Sequence, residues 1–403
     1  MTIGIIATSQ KKHERRLPLH PEHLSLVEPA LLKQMVFECG YGENFGVSDA
    51  QLAALSGGVA ARDELLQKSD LVILAKPEGI DAEKMKPGST LWGWVHCVQN
   101  PSIVQAAIER KLTYIAWETM NLWDDSGQYQ SHIFYRNNQI AGYAAIMHAV
   151  HLRGMDGHYG PGKKVVLINT GQVSTGALGA LQTLGFSDIA VLTPQNREQI
   201  PPTFNPYDCY QLDTTDPNNL SAVNAQGQTH RVIDLLRDAD IIVNGILQNP
   251  LRPLMFMGSE DIHELKPNCL IIDVSCDAGM GFPFAHPTNF DQPLSLVHGR
   301  HYYAVDHTPS FLWESATWEI SQALLPFLSD VVHGAASWKE NPTLQKAVEI
   351  CDGHILNQAI LQFQQREKPY PHRLTEPQSR NGAVKAHPVT SATIQGKGEK
   401  NVI

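Results

Sequence analysis

Arg16, Lys76, His96 and Asp277 lie far apart along the chain, yet each falls at or just past the carboxyl end of a short apolar run. In parallel α/β sheets, ligands gather at the carboxyl ends of strands. Taken singly, each residue has an ordinary reading. Arg16 suits the surface of a basic loop, and Lys76 a snorkelling strand end. His96 suits a hydrogen-bonded core position, and Asp277 a turn or helix cap. Taken together, they suit one chemistry: a cation for a substrate carboxylate, with acid–base groups beside a carbonyl or imine that takes hydride.

A hydride reaction needs a carrier, and residues 164–197 supply a place for one. Lys164–Ile168 is a β-branched apolar run, followed by the small-residue turn Asn169-Thr170-Gly171-Gln172-Val173-Ser174. A helix-like segment from Thr175 to Leu184 stops at Gly185, and Ile189–Leu192 reads as a second strand. This is the order of a dinucleotide-binding unit, whose turn sets a pyrophosphate against a helix N-terminus. Against the G-x-G-x-x-G pattern, Asn169 takes the first position, Gly171 the second and Ser174 the third. Asn tolerates a left-handed turn, Gly171 lets backbone approach phosphate, and Ser174 is small enough for close helix–strand packing. An ordinary α/β core turn is the competing reading. After the second strand, Thr193-Pro194-Gln195-Asn196-Arg197 contains no carboxylate to grip a ribose 2′-hydroxyl. Thr193 and Arg197 would instead suit a 2′-phosphate, so NADP(H) is expected over NAD(H); a solvated Arg197 is the alternative.

These groups need a scaffold to hold them, and the chain has the length for it. Its 403 residues suffice for two domains. Hydrophobic content of 42% and charged content of 18% describe a globular protein. A formal charge of −10 argues against nucleic acid or an anionic membrane as main partner. The six cysteines include no C-x-x-C, so neither a zinc site nor a disulfide framework is expected, and no metal. Met1–Ile6 reads as a strand, with Lys11-Lys12 after it, so no secretory leader is read. No apolar run is long enough for a bilayer, and a cytoplasmic protein is expected.

Buried strands are expected at Thr2–Ala7, Met35–Glu38, Asp70–Lys76, Ser89–His96 and Thr113–Trp117, then at Asp240–Gly245, Cys269–Val274 and Tyr302–Val305. Helical spacing is read at Glu22–Lys33, Arg136–Arg153, Glu314–Leu328 and residues 344–365. Residues 198–230 read as a long polar excursion. Such alternation implies a mainly parallel α/β sheet.

Several of these stretches resemble the alanine dehydrogenase and transhydrogenase group. The matching pieces are Glu14–Pro18, Gly40–Asp49, Ala75-Lys76-Pro77, Val95-His96, Ala116–Thr119 and Ile272–Gly279. Gly93–His96, Ala141–Ala144, Asp240–Ile246, Asp273–Gly279 and Tyr303–Ser310 point within it to the N5-(carboxyethyl)ornithine synthase branch, which joins pyruvate to an ornithine amine using NADPH. Asp306–Ser315 also resembles lysine-forming saccharopine dehydrogenases. The resemblance implies two Rossmann-like domains with mainly parallel sheets and a cleft between them. Residues 1–137 with 306–365 would form the substrate domain and 138–305 the NADP-binding domain, while 366–403, polar with Pro, Gly and Lys and little periodicity, reads by its composition as a disordered tail. The resemblance further implies that Arg16, Lys76 and His307 bind substrate, with His96 the acid–base group and Asp277 beside the nicotinamide. Asn169, Gly171, Gln172, Val173, Thr193, Gly245 and Ile246 would line the cofactor. The expected reaction is a reductive condensation of an oxo acid with an amino acid amine, in a homodimer or homotetramer. Alanine dehydrogenase and saccharopine-type activities are the near alternatives. Asn169 and Ser174, which depart from the glycine pattern, would favour a non-catalytic NADP-binding regulator.

Overall fold

The computed structural model describes residues 1–375, and within them the apolar runs become two separate sheets. In the first, the strand order is Gly58–Ala60, Met35–Glu38, Ile3–Ile5, Leu71–Ile73, Thr90–Gly93 and Thr113–Ala116, all parallel. Val348–Cys351 then joins Thr113–Ala116 antiparallel, and His354–Ile355 closes that edge. The second sheet has a parallel centre of Asp208–Asp213, Asp188–Thr193, Lys164–Ile168, Ile241–Asn244, Leu270–Asp273 and Arg300–Tyr303. Antiparallel strands flank it on both sides.

Both faces of each sheet are covered, which is why its strands read as unbroken apolar runs rather than alternating ones. Along Lys164–Ile168, Val165 and Leu167 enter one core while Val166 and Ile168 enter the opposite one. In the first sheet, Ile73 and Trp92 face a core completed by Ile320 and Leu324 of the helix Trp313–His333. Val72 and Leu91 face the other side, against Ile103 and Ala107.

The helix Tyr135–Leu152 carries the chain from the first sheet to the second and packs on the helix Gln172–Thr183. The contact is backbone to backbone. A Cβ on Gly142 would lie 1.8 Å from the Val173 carbonyl oxygen, and one on Gly176 would lie 1.8 Å from that of Gln139. Small residues in Ala141–Ala145 therefore hold the nucleotide-type unit against the connecting helix.

Three expectations fail. Residues 198–230 are not an excursion: Asp208–Asp213 continues the parallel sheet, and Ser221–Val223 and Thr229–Arg231 extend it. These lie at a sheet edge, where one side meets solvent, so they carry little apolar signal. Residues 344–365 are not one helix: the strand Val348–Cys351 and the turn at Asp352-Gly353 split them, leaving helices Pro342–Ala347 and Gln358–Phe363. Residues 366–375 are ordered, with Arg366 and His372 buried and the Arg366 backbone bridged to Leu374; the rest of the expected tail lies outside the described residues. Smaller shifts follow from caps. Glu28-Pro29 breaks Glu22–Lys33 into two short turns, and the helix expected at Thr175 already begins at Gln172. Among the described residues, no helix is long and apolar enough to cross a membrane.

Candidate active site

Neighbouring strands of the first sheet, Leu71–Ile73, Thr90–Gly93 and Thr113–Ala116, end side by side. The loops after them therefore deliver Lys76, His96 and Glu118 to one place. Lys76 Nζ lies 2.7 Å from His96 Nε2. Burial, then the Lys76 charge, holds the imidazole well below the usual histidine range. The ring is therefore neutral near pH 7 and accepts the Lys76 proton at Nε2, which places its own proton on Nδ1. Glu118 Oε1 lies 3.9 Å from that Nδ1 and accepts the His96 backbone N–H. The backbone at His96 is left-handed, with φ of 46°, so this imidazole is presented at a local conformational cost. Burial, then the charges of Lys11 and Arg16, pulls Lys76 down to about 8.

Arg16 is buried, its guanidinium 4.8 Å over the Trp94 ring. Its Nε and Nη2 donate to the two Glu14 oxygens at 2.8 and 2.6 Å, and Nη1 donates to Asn137 Oδ1 at 3.2 Å. An arginine has five donors, so one N–H on each Nη remains. The Nε/Nη2 edge thus belongs to Glu14, and only the Nη1/Nη2 end is left for a ligand. Burial opposes ionisation of Glu14, but the Arg16 charge and hydrogen bonds hold its pKa down to about 2.

In the second sheet, Lys164–Ile168, Ile241–Asn244 and Leu270–Asp273 are neighbours, and their carboxyl ends carry the turn, Gly245-Ile246 and the loop to Asp277. Asn169 is left-handed, with φ of 86°, as its type allows, and its Nδ2 donates to the Gly245 carbonyl at 3.2 Å. The Ser174 hydroxyl donates to the Ile168 carbonyl at 3.2 Å, tying helix to strand. Gly171 caps the helix Gln172–Thr183 with no side-chain bond, leaving its first N–H groups for an anion. Asp273 anchors the Asp277 loop, accepting from Tyr302, Asn244 and the Cys276 N–H at 2.8, 2.9 and 3.2 Å. Burial raises the Asp277 pKa.

The two edges meet at a cavity of about 580 Å³ that His96 and Asp277 share with Asn169, Gly171, Val173 and Gly245. Gln172 and Ile246 line it as well. A dinucleotide fits this cradle: the helix end is uncapped, and Gly245 cannot bear a Cβ, which would lie 2.6 Å from Ser174 Oγ.

Other expected residues stand elsewhere. Thr193 is fully buried, its hydroxyl 3.0 Å from that of Thr170 and accepting from the Gln195 N–H, so it braces the loop rather than facing a phosphate. Arg197 lines a separate cavity of about 460 Å³ with Tyr207 and Tyr210. His307 is buried with both ring nitrogens engaged, Nδ1 to Asp306 Oδ1 at 2.7 Å and Nε2 to the Lys12 carbonyl at 3.0 Å. It holds the Lys11–Arg16 loop, leaving no ring nitrogen for substrate. Burial works against the Asp306 carboxylate, yet His307 and Lys11 hold it well below its usual range.

Lys11, Glu14, Glu118, Asp306 and Glu349 were not singled out from sequence. Glu118 follows the carboxyl end of Thr113–Ala116 and was findable by the rule that found His96. Glu349 was not, because its segment reads as helical.

With this geometry in place, kinship accounts for it. The profile described as alanine dehydrogenase/PNT, N-terminal domain, matches residues 4–133, and that described as alanine dehydrogenase/PNT, C-terminal domain, matches residues 140–358. An N(5)-(carboxyethyl)ornithine synthase of Clostridium botulinum is 27% identical over 343 residues, 80% of this chain and 92% of that protein. An alanine dehydrogenase of Mycobacterium tuberculosis is 23% identical over 376 residues, 89% of this chain and 96% of that protein. An L-alanine dehydrogenase structure superposes with a TM-score of 0.70 at 19% identity, covering 90% of this chain and 99% of that one. A transhydrogenase from Sinorhizobium meliloti does so at 0.66 and 16%, covering 89% and 100%. The chain belongs to the alanine dehydrogenase/PNT family of nicotinamide-dinucleotide-dependent oxidoreductases.

Proposed function

We propose that the chain reductively condenses an oxo acid, pyruvate in the first instance, with the amine of an amino acid such as ornithine or lysine. The observation that carries this reading is that His96, paired with Lys76, meets Asp277 at the cavity that holds the dinucleotide cradle. A bound nicotinamide supplies the hydride. The oxo-acid carboxylate sits on the free Nη end of Arg16, and the Lys76 ammonium hydrogen-bonds the carbonyl oxygen. As the amine adds to the carbonyl carbon, the Lys76 ammonium turns from His96 to the carbonyl oxygen and gives it a proton, and the freed Nε2 of neutral His96 accepts the proton that the amine sheds. The hydroxyl leaves as water with a proton from the Lys76–His96 pair, giving a C=N bond whose carbon takes the hydride. Asp277, its pKa raised, stands beside the nitrogen.

The imine survives only where water is excluded. The strand membership of the two sheets supports a substrate domain of residues 1–137 with 306–365 and a nucleotide domain of 138–305, closing over the cleft. NADPH is favoured over NADH because no carboxylate follows the strand Asp188–Thr193 before Glu198. An even-numbered homo-oligomer, dimer or tetramer, completes the reading.

One assay decides among the related reactions: oxidation of NADPH and of NADH with pyruvate plus ornithine, lysine or ammonia, and with 2-oxoglutarate plus lysine. Fastest turnover with pyruvate, NADPH and a diamino acid is expected. Turnover with ammonia alone would make the chain an alanine dehydrogenase, and turnover only with 2-oxoglutarate and lysine would make it saccharopine-type.

A further inference from the structure

Beside His96 lies a second cavity of about 480 Å³, which His96, Ser275 and Asp277 share with the cofactor cleft. Ammonia is close to water in size, and a water molecule occupies about 30 Å³ in the liquid, so this space suits something much larger. Its wall is partly apolar, with Val98, Pro250, Leu251 and Phe363. Three carboxylates, Asp277, Glu118 and Glu349, also line it, and neither Lys nor Arg does.

Glu349 is held there by a local irregularity. Val348 pairs with Ile115 and Ile350 with Tyr114, so Glu349 is the extra residue of a bulge. Bulges re-aim side chains beside active sites. Glu349 is 3% exposed, and its Oε1 accepts from Asn357 Nδ2 at 3.0 Å. Its Oε2 has no partner, and neither has Oε2 of Glu118. Cys97 lies alongside Glu349, but a thiol is a weak donor and leaves Oε2 unsatisfied. Buried polar atoms are rarely left bare, because each orphan costs about 1–3 kcal/mol. Burial raises the pKa of both carboxyls, and the Glu349 charge raises that of Glu118 further. Among the described residues, neither Glu118 nor Glu349 forms an ion pair with Lys or Arg, so a cation entering the cavity meets two unsatisfied carboxyl oxygens. An ammonium, with three donors, satisfies both orphans.

We propose that this cavity is the subsite for the amine partner, and that Glu349 with Glu118 grips a second ammonium of that partner while its first amine reacts beside His96. The preferred partner is then a compound with two amines joined by a short methylene stem, a basic amino acid or a diamine, and not ammonia. The inference deepens the condensation reading and rests on it for the role of the first amine. The described residues contain no cluster of three His, Cys, Asp or Glu suited to a metal ion, so the cation is taken to be organic.

Calorimetric titration of the full chain tests binding apart from turnover. 1,4-Diaminobutane and ornithine should bind, and butylamine, with one amine on the same stem, should bind at least about tenfold more weakly. Glu349→Gln, nearly isosteric, should weaken diamine binding by about tenfold or more, with butylamine unmoved and NADPH binding retained as the sign of a folded protein. Glu349→Asp, which keeps the charge but withdraws it, should fall between. In steady state, Glu349→Gln should raise KM for ornithine or lysine without raising KM for the oxo acid. Equal binding of diamine and monoamine, an unmoved diamine affinity in Glu349→Gln, or tight Mg²⁺ or Zn²⁺ binding lost with Glu349 would each overturn the subsite. Diamine binding that depends on Glu349, with no NADPH oxidation for any amine and oxo acid, would sink the reaction reading and leave the subsite standing.

Discussion

The two sides of the cleft are built by different means. The nucleotide side is local: strand, turn and helix follow one another from Lys164 to Thr183, and backbone N–H groups and small residues make the site. The substrate side is assembled from Glu14, Arg16, Lys76, His96, Glu118, Asp306 and Glu349, titratable side chains drawn from separate loops and from one strand bulge. The first works by shape, so bulk should damage it. The second works by charge held in a low dielectric, so it should respond to pH and to isosteric changes that remove a proton or a charge.

Four measurements would break or sharpen this contrast, and the largest effect is expected at His96. His96→Gln keeps the size of the side chain but removes the base, and turnover should fall by about 10²–10⁴-fold with NADPH affinity nearly unchanged. Normal turnover would remove His96 from the chemistry. Glu14→Gln breaks the buried pair with Arg16, which should cost about 3–5 kcal/mol in urea unfolding at pH 7. The sign with pH follows from a folded pKa of about 2 against the ordinary glutamate value of 4.5. Stability from Glu14 is full above pH 4.5 and drains away as pH falls toward 2, so the variant should show a flatter acid limb.

On the nucleotide side, Gly142→Ala should destabilise by about 1–3 kcal/mol, because the methyl meets the Val173 carbonyl at 1.8 Å. Gly179→Ala, in the facing helix with nothing within 4 Å, should stabilise by about 0.5–1 kcal/mol. Equal effects at the two sites would mean that the helices do not touch at Gly142. Finally, Lys76 must be charged to polarise the carbonyl, and its pKa is about 8. The kcat/KM for the oxo acid should therefore decline above pH 8, approaching about tenfold per unit. Lys76→Arg, charged throughout, should lose that alkaline limb whatever its absolute rate.

The contrast also explains what was legible. The βαβ unit announces itself because its residues are contiguous and their types, Asn169 for a left-handed turn and Ser174 for close packing, answer local requirements. His96 and Lys76 were found because the carboxyl-end rule needs only a strand and its direction. Glu349 and the strand carrying it were missed, since Val348–Cys351 reads as helix until Thr113–Ala116 offers it an edge to pair with. Thr193 and His307 were rightly placed near strand ends, but side-chain direction decided their partners, and both turned inward.

Local sequence thus determined the two kinds of element, the parallel sheets and the nucleotide-type turn, because apolar runs buried on both faces and a turn's backbone needs are written residue by residue. Tertiary structure alone decided which charges face one another. Glu14 took one edge of Arg16, His307 was engaged by a loop, and a strand bulge set Glu349 into the cavity that Glu118 also lines. Such pairings depend on distances between segments far apart in the chain, and burial sets the protonation state of each group only once those segments have met.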